Sequence, residues 1–148
     1  MDKLISLMKV TLGSAFTLYV KAHAAHWNVE GISFVSLHKL FGDIYQDAWQ
    51  SLDDIAEQIR QLDAYAPGSL ERFIELSRIN SINEVLPASD MLVMLMKDTE
   101  ILMATLTETL HAAEAEDRQG LVNFLAERIE MHSKWRWQLR ATAKRLNA

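Results

Sequence analysis

Cysteine is absent from this chain, which removes disulfides, thiolate zinc sites, iron–sulfur clusters and cysteine nucleophiles from consideration. Any metal chemistry must be built from histidine and carboxylate. Proline occurs twice and glycine five times in 148 residues, so little interrupts the chain. The apolar residues recur at spacings of three and four rather than two, which predicts an all-α protein. No uninterrupted apolar run approaches the ~20 residues of a membrane span. Residues 1–10 interleave apolar positions with Asp2, Lys3 and Lys9, unlike the continuous apolar stretch of a signal peptide. A cytoplasmic protein with no membrane partner is expected. A hydrophobic content of 49% is enough to bury a core without covalent staples, and the length suits one domain spanning residues 1–148.

Positive charge is also in short supply. The net charge of −5 argues against a surface built to bind nucleic acid. Its distribution is uneven, because Lys134, Arg136, Arg140, Lys144 and Arg145 close the chain with no acid among them. Trp135, Trp137, Leu139 and Leu146 are interleaved with these bases, so the segment reads as a packed helix with one solvated basic face.

Four long amphipathic segments are predicted. The first runs from about Leu4 to Trp27 through Leu4, Met8, Leu12, Ala15, Phe16, Tyr19 and Val20. The second runs from about Ser33 to Leu62 through Leu37, Phe41, Ile44, Trp49, Leu52 and Ile59. Between Asp63 and Pro87 the period breaks at Ala66-Pro67-Gly68, and Ser69 is placed to cap a short helix over Leu70 to Leu76. The third starts after Pro87, with Ser89 or Asp90 as its cap, and reaches about Ala113; the fourth runs from near Asp117 to about Leu146. A long crossover between the second and third helices predicts the ferritin-like form of the four-helix bundle.

Candidate metal ligands stand out against that pattern. His26 closes the first helix and His38 lies early in the second. Asp53 and Glu57, four residues apart, share one face of the second helix, although the run Leu52, Ile55, Ala56 and Ile59 leaves it little polar surface. His38 and Asp53 are separated by 15 residues of one helix, about 22 Å at 1.5 Å per residue. One chain therefore cannot bring them to one metal. If all four residues form a site, the carboxylates must come from a second, antiparallel copy, and a two-fold axis would generate two such sites per dimer. The rival arrangement, a dimetal centre inside one bundle, needs two Glu-x-x-His motifs, and only Glu108 to His111 has that spacing.

The stretch Ala25-His26-Trp27-Asn28-Val29-Glu30-Gly31, followed by Phe34, Leu37-His38 and Leu52-Asp53-Asp54-Ile55-Ala56-Glu57, resembles the signature of the Dps family, the DNA-binding proteins from starved cells. Ala64 to Ser69, and His132-Ser133-Lys134 with Trp137, Leu139 and Arg140, extend the resemblance over nearly the whole chain. It implies a dodecameric homo-oligomeric shell that takes up ferrous iron, oxidises it as a ferroxidase with hydrogen peroxide or dioxygen, and stores ferric mineral. It also implies His26 and His38 of one subunit as catalytic metal ligands facing Asp53 and Glu57 of its partner.

One position departs from the pattern, since the family usually has an Asp four residues after the second histidine and this chain has Gly42. Asp43 is the nearest acid, rotated by about 100° along a regular helix. It would become a ligand only if the helix were distorted there. His23, one turn before His26, is a second candidate to compensate, as a ligand, as a partner of a bridging water or as packing. A leaner carboxylate set also admits zinc as an alternative occupant. Trp27 and Trp49 stand where they could intercept stray radicals, with interface or core packing as the simpler role. Two further readings are a shell of impaired ferroxidase activity that sequesters metal, and a nucleoid protein that coats DNA. DNA is not expected as a partner, because the N-terminal region carries only Lys3 and Lys9 before Lys21.

Overall fold

A computed structural model describes residues 1–146, without the side chains of residues 145 and 146. Its helices are α1 (Asp2–Asn28), α2 (Phe34–Gln61), α3 (Leu70–Leu76), α4 (Ala88–Ala115) and α5 (Gln119–Leu146), and no strand occurs among the described residues. Helices α1 and α2 pair, α4 and α5 pair, α1 joins the two pairs through α4, and α3 lies on α1. This is the all-α ferritin-like bundle that the periodicity predicts. Its core is the set of residues spaced by three and four, including Leu4, Met8 and Leu18 on α1, Phe41, Ile44, Ile55 and Ile59 on α2, and Leu92, Leu95, Leu102 and Leu106 on α4. Burial of each such side chain stabilises the bundle by about 1.5–3 kcal/mol.

The short helix falls where expected, and the Oγ of Ser69 accepts a hydrogen bond from the Arg72 N–H at 3.2 Å. The start of α4 differs from expectation. The helix begins at Ala88, one residue before the anticipated caps, so Pro87 is the N-cap and neither Ser89 nor Asp90 fills that role. Asp90 instead lies in the first turn, where its charge complements the helix dipole. Asp117 lies two residues before the last helix, which begins at Gln119, near the expected start. It takes a left-handed conformation (φ 53°) that ends α4, with its own N–H donating to the Glu114 carbonyl and that of Arg118 to Ala113.

Among the described residues, α1 is the one helix long and apolar enough to cross a membrane by length and composition, although charged residues interrupt its apolar positions. More than half of its most apolar window is buried inside the bundle. Leu4, Met8 and Leu12 belong to the core, so the opening of this helix is structural.

Gly13 sets how closely α3 approaches α1. A Cβ there would lie 2.9 Å from the Phe73 carbonyl oxygen and 3.0 Å from Leu76 Cβ. Phe16 and Phe73 stack beside this contact with centroids 4.5 Å apart. Helix propensity alone would make alanine better here by about 1 kcal/mol. Because the obstruction is backbone, Gly13→Ala should instead destabilise the protein by about 1–3 kcal/mol, read as a lower urea midpoint. A raised midpoint would show that α3 does not dock on Gly13 in solution.

Candidate metal centre

A short connection brings the two histidines together. Helix α1 ends at Asn28 and α2 begins at Phe34, with Gly31 between them at φ 109°, a conformation that side chains disfavour. Val29 is buried beneath this turn. His26 Nδ1 donates to the carbonyl of His38 at 2.6 Å, and His38 Nδ1 donates to the carbonyl of His26 at 2.7 Å. The rings stack with centroids 3.7 Å apart and planes 17° apart. A carbonyl can only accept, so both Nδ1 atoms must carry hydrogen and both Nε2 atoms keep their lone pairs. That is the tautomer a metal requires, set by the backbone rather than by a metal.

Gly42 belongs to the same arrangement. It is buried, and a Cβ there would lie 3.0 Å from His26 Nδ1 and 3.1 Å from Cε1, so the imidazole rests against bare backbone. The distortion that would swing Asp43 toward the histidines does not occur. Helix α2 is continuous through this region, and the Asp43 carboxylate pairs with Lys39 Nζ at 2.9 Å. Asp43 is therefore turned away from the imidazole pair.

Asp53 and Glu57 lie further along the unbroken α2, together with Asp54, which was not singled out from the sequence. One carboxylate oxygen of each falls within 4.8 Å of the others, and all three residues are exposed. Residues 38 and 53 stay on one continuous helix, so the separation of about 22 Å holds. A single chain thus presents two halves, an imidazole pair and a carboxylate group, at different places along α2.

His23 is surrounded by aromatic rings. Its Nδ1 lies 3.0 Å from the Tyr19 hydroxyl, and its ring stacks on Tyr45 at 3.7 Å with planes 6° apart. Trp27 lies 4.0 Å from it and His26 lies 6.2 Å away, centroid to centroid. Burial, and to a lesser extent the charge of His26, hold the His23 imidazole below its ordinary pKa. The four-residue step from Tyr19 to His23 was visible in the sequence as one helix face; Tyr45 comes from another helix and gave no local signal.

Among the described residues, the bundle interior does not bring together the ligands of the rival dimetal centre. Glu108 is engaged by Arg78 at 2.7 Å and His111 is exposed. Inside stand two salt-bridged groups instead. Lys21 and Asp98 lie 2.6 Å apart, and Asp47 accepts two hydrogen bonds from Arg128 at 2.9 Å and one from Trp135 at 2.8 Å.

An all-α bundle with a crossover helix and a backbone-latched histidine pair is the architecture of a ferritin-like protein, and residues 5–148 match the ferritin-like domain family. The chain is 33% identical to an uncharacterised low temperature-induced protein of Nostoc sp., over 93% of this chain and 78% of that one. It is 28% identical to the DNA protection during starvation protein of Helicobacter pylori, over 94% and 97% of the two chains. The crystal structure of a Dps protein from Bacillus brevis superposes with a TM-score of 0.91 at 25% identity, covering 95% of each chain. The chain belongs to the Dps family, the iron-storage mini-ferritins.

Proposed function

We propose that this protein is a ferroxidase that binds ferrous iron between two subunits, oxidises it with hydrogen peroxide and stores the ferric product inside a dodecameric shell in the cytoplasm. The observation that carries this reading is the reciprocal latch of His26 and His38 on each other's carbonyls, which leaves two Nε2 lone pairs with no hydrogen-bond donor among the described residues. Asp53 and Glu57 of the partner subunit would complete the donor set. Exposed apolar side chains near both halves support a subunit contact there, notably Trp27 (65% exposed), Phe34 (41%) and Trp49 (56%).

Iron is the substrate, and the chain's task is to hold it and pass its electron on. Neutral imidazoles and carboxylates suit ferrous ion, and the carboxylates also compensate the charge gained on oxidation. Two ferrous ions each give one electron to a peroxide molecule, its O–O bond breaks, and two protons complete two waters. Ferric ion, more acidic than ferrous, then passes on as mineral.

Complementation between two damaged subunits tests both the activity and its shared location. His26→Ala and Glu57→Ala shells should each lose rapid peroxide-dependent iron oxidation, followed by ferric absorbance. Co-assembled from equal amounts of both chains, the shells should recover about a quarter of the wild-type sites, because each mixed dimer rebuilds one site from its two intact halves. Wild-type rates in the single variants would sink the ferroxidase reading, and absence of recovery in mixed shells would sink the shared site.

A further inference from the structure

Three nitrogen atoms on one face of α5 are sealed from solvent with nothing to bond to. They are Arg128 Nε, His132 Nδ1 and Arg136 Nε, and none has a hydrogen-bond partner among the described residues. Their spacing of four places them on successive turns of the helix, about 6 Å apart along its axis. Buried polar groups in folded proteins are almost always paired, so three orphans on one face call for a partner.

All three are donors. An arginine Nε always carries hydrogen. For His132 the assignment follows from its neighbour, because Arg128 Nη2 lies 3.1 Å from Nε2 and can only donate to it. Nε2 therefore supplies a lone pair, and in a ring that burial holds neutral the hydrogen sits on Nδ1. That ring is 2% exposed. No side-chain acceptor is left over to meet these donors. Asp47 on α2, the carboxylate beside this face, already takes two hydrogen bonds from Arg128 and one from Trp135. The other unmatched buried side-chain atom among the described residues, Asp98 Oδ2, belongs to α4 and lies 2.6 Å from Lys21 Nζ on α1.

A water molecule suits such a set poorly. It could accept from two of the donors, but its own two hydrogens would then need acceptors that the face does not offer. An anion accepts and donates nothing. Charge points the same way, since Asp47 offsets Arg128, His132 is neutral, and Arg136 makes no salt bridge among the described residues. One positive charge is left without a partner. We propose that His132 Nδ1 and the Nε atoms of Arg128 and Arg136 hold one small monovalent anion of the halide class. Bound there, it completes the hydrogen bonding of α5 and fixes Arg128 where it reaches Asp47, which ties α5 to α2. The site is separate from the metal centre and does not depend on the ferroxidase reading.

Crystals of the wild-type protein soaked in sodium bromide and measured at the bromine absorption edge should show an anomalous peak against His132 Nδ1 and Arg136 Nε. In solution at about pH 8, His132 is neutral in the folded and unfolded chain alike, so its titration does not intrude. There the thermal midpoint of wild type should rise with the logarithm of chloride concentration as chloride replaces gluconate at constant ionic strength. Arg136→Met removes one donor and the unmatched charge at a partly exposed position, and should lose most of that rise. Ordered water in place of bromide, or an equal chloride dependence in wild type and Arg136→Met, overturns the proposal. A bromide peak with no chloride dependence in solution marks an adventitious ion only and overturns it too. The crystal measurement uses wild type alone, so it decides the matter even if the variant folds poorly.

Discussion

Lys21→Met should destabilise the protein by about 3–5 kcal/mol, because it leaves the Asp98 carboxylate uncompensated inside the bundle. Both side chains of this pair are nearly inaccessible, at 6% and 9% exposure, and their charged atoms are 2.6 Å apart. Burial raises the Asp98 carboxyl above its ordinary pKa, and the hydrogen bond and charge of Lys21 act against that shift. Removing the ammonium releases that restraint, so Asp98 must either stay charged in an apolar interior or take up a proton. The damage should be largest at neutral pH and smaller in acid, where the neutral carboxyl costs less. Lys21 Nζ also donates to the Asn80 carbonyl at 2.8 Å, which ties the crossover to α1. Urea titrations of Lys21→Met, Asp98→Leu and the double variant would separate the effects. The double variant should recover most of the loss, since it removes the orphaned charge along with its partner. A single variant within about 0.5 kcal/mol of wild type would show that this pair is not buried in solution.

Acid should weaken the protein well above the carboxylate range, and His132 is the reason. It is 2% exposed, Arg128 donates to its Nε2 at 3.1 Å, and its pKa is lowered to about 3, chiefly by burial and then by the charge of Arg128, with Asp47 acting in the opposite direction. The unfolded imidazole titrates near its ordinary 6.5. Between those values the unfolded chain binds a proton that the folded chain refuses, so stability is complete above pH 6.5 and falls as pH drops toward 3. At 1.36 kcal/mol per unit, the loss across this window is on the order of 3–5 kcal/mol. Asp47 contributes in a lower window. Although burial raises its pKa, the hydrogen bond and charge of Arg128, with Trp135 and His132, bring it below the ordinary value. Its stabilisation is therefore lost only as pH falls through the carboxylate range. His132→Gln, which can still accept from Arg128, should flatten the upper window and leave the lower one. Equal slopes for both proteins between pH 6.5 and 4 would remove His132 as the cause.

Local chemistry made much of this fold legible. The short helix was placed at Leu70–Leu76 because Ser69 is a side-chain cap and Pro67-Gly68 breaks the chain just before it. The start of α4 was less legible because Pro87, Ser89 and Asp90 all carry start signals, and packing decides among them. At the candidate site, residue type singled out His26, His38, Asp53 and Glu57 as candidate ligands, and the helix rise requires a second copy if all four are to share one metal. They could not show what holds the imidazoles. The acceptors for both rings are main-chain carbonyls, which look alike in every sequence and gain meaning only when two helix ends meet.

Periodicity, capping chemistry and the constant rise of an α-helix are local properties, so the amino-acid order alone determined the bundle, its crossover helix and the separation of the histidines from the carboxylates along α2. Contacts between helices depend on which faces meet. Only the tertiary structure decided that the His26 ring lies on Gly42, that Tyr45 meets the α1 residue His23, and that Lys21 finds Asp98. Each is a pairing set by how side chains converge when helices pack, and spacing along the chain carries no record of that.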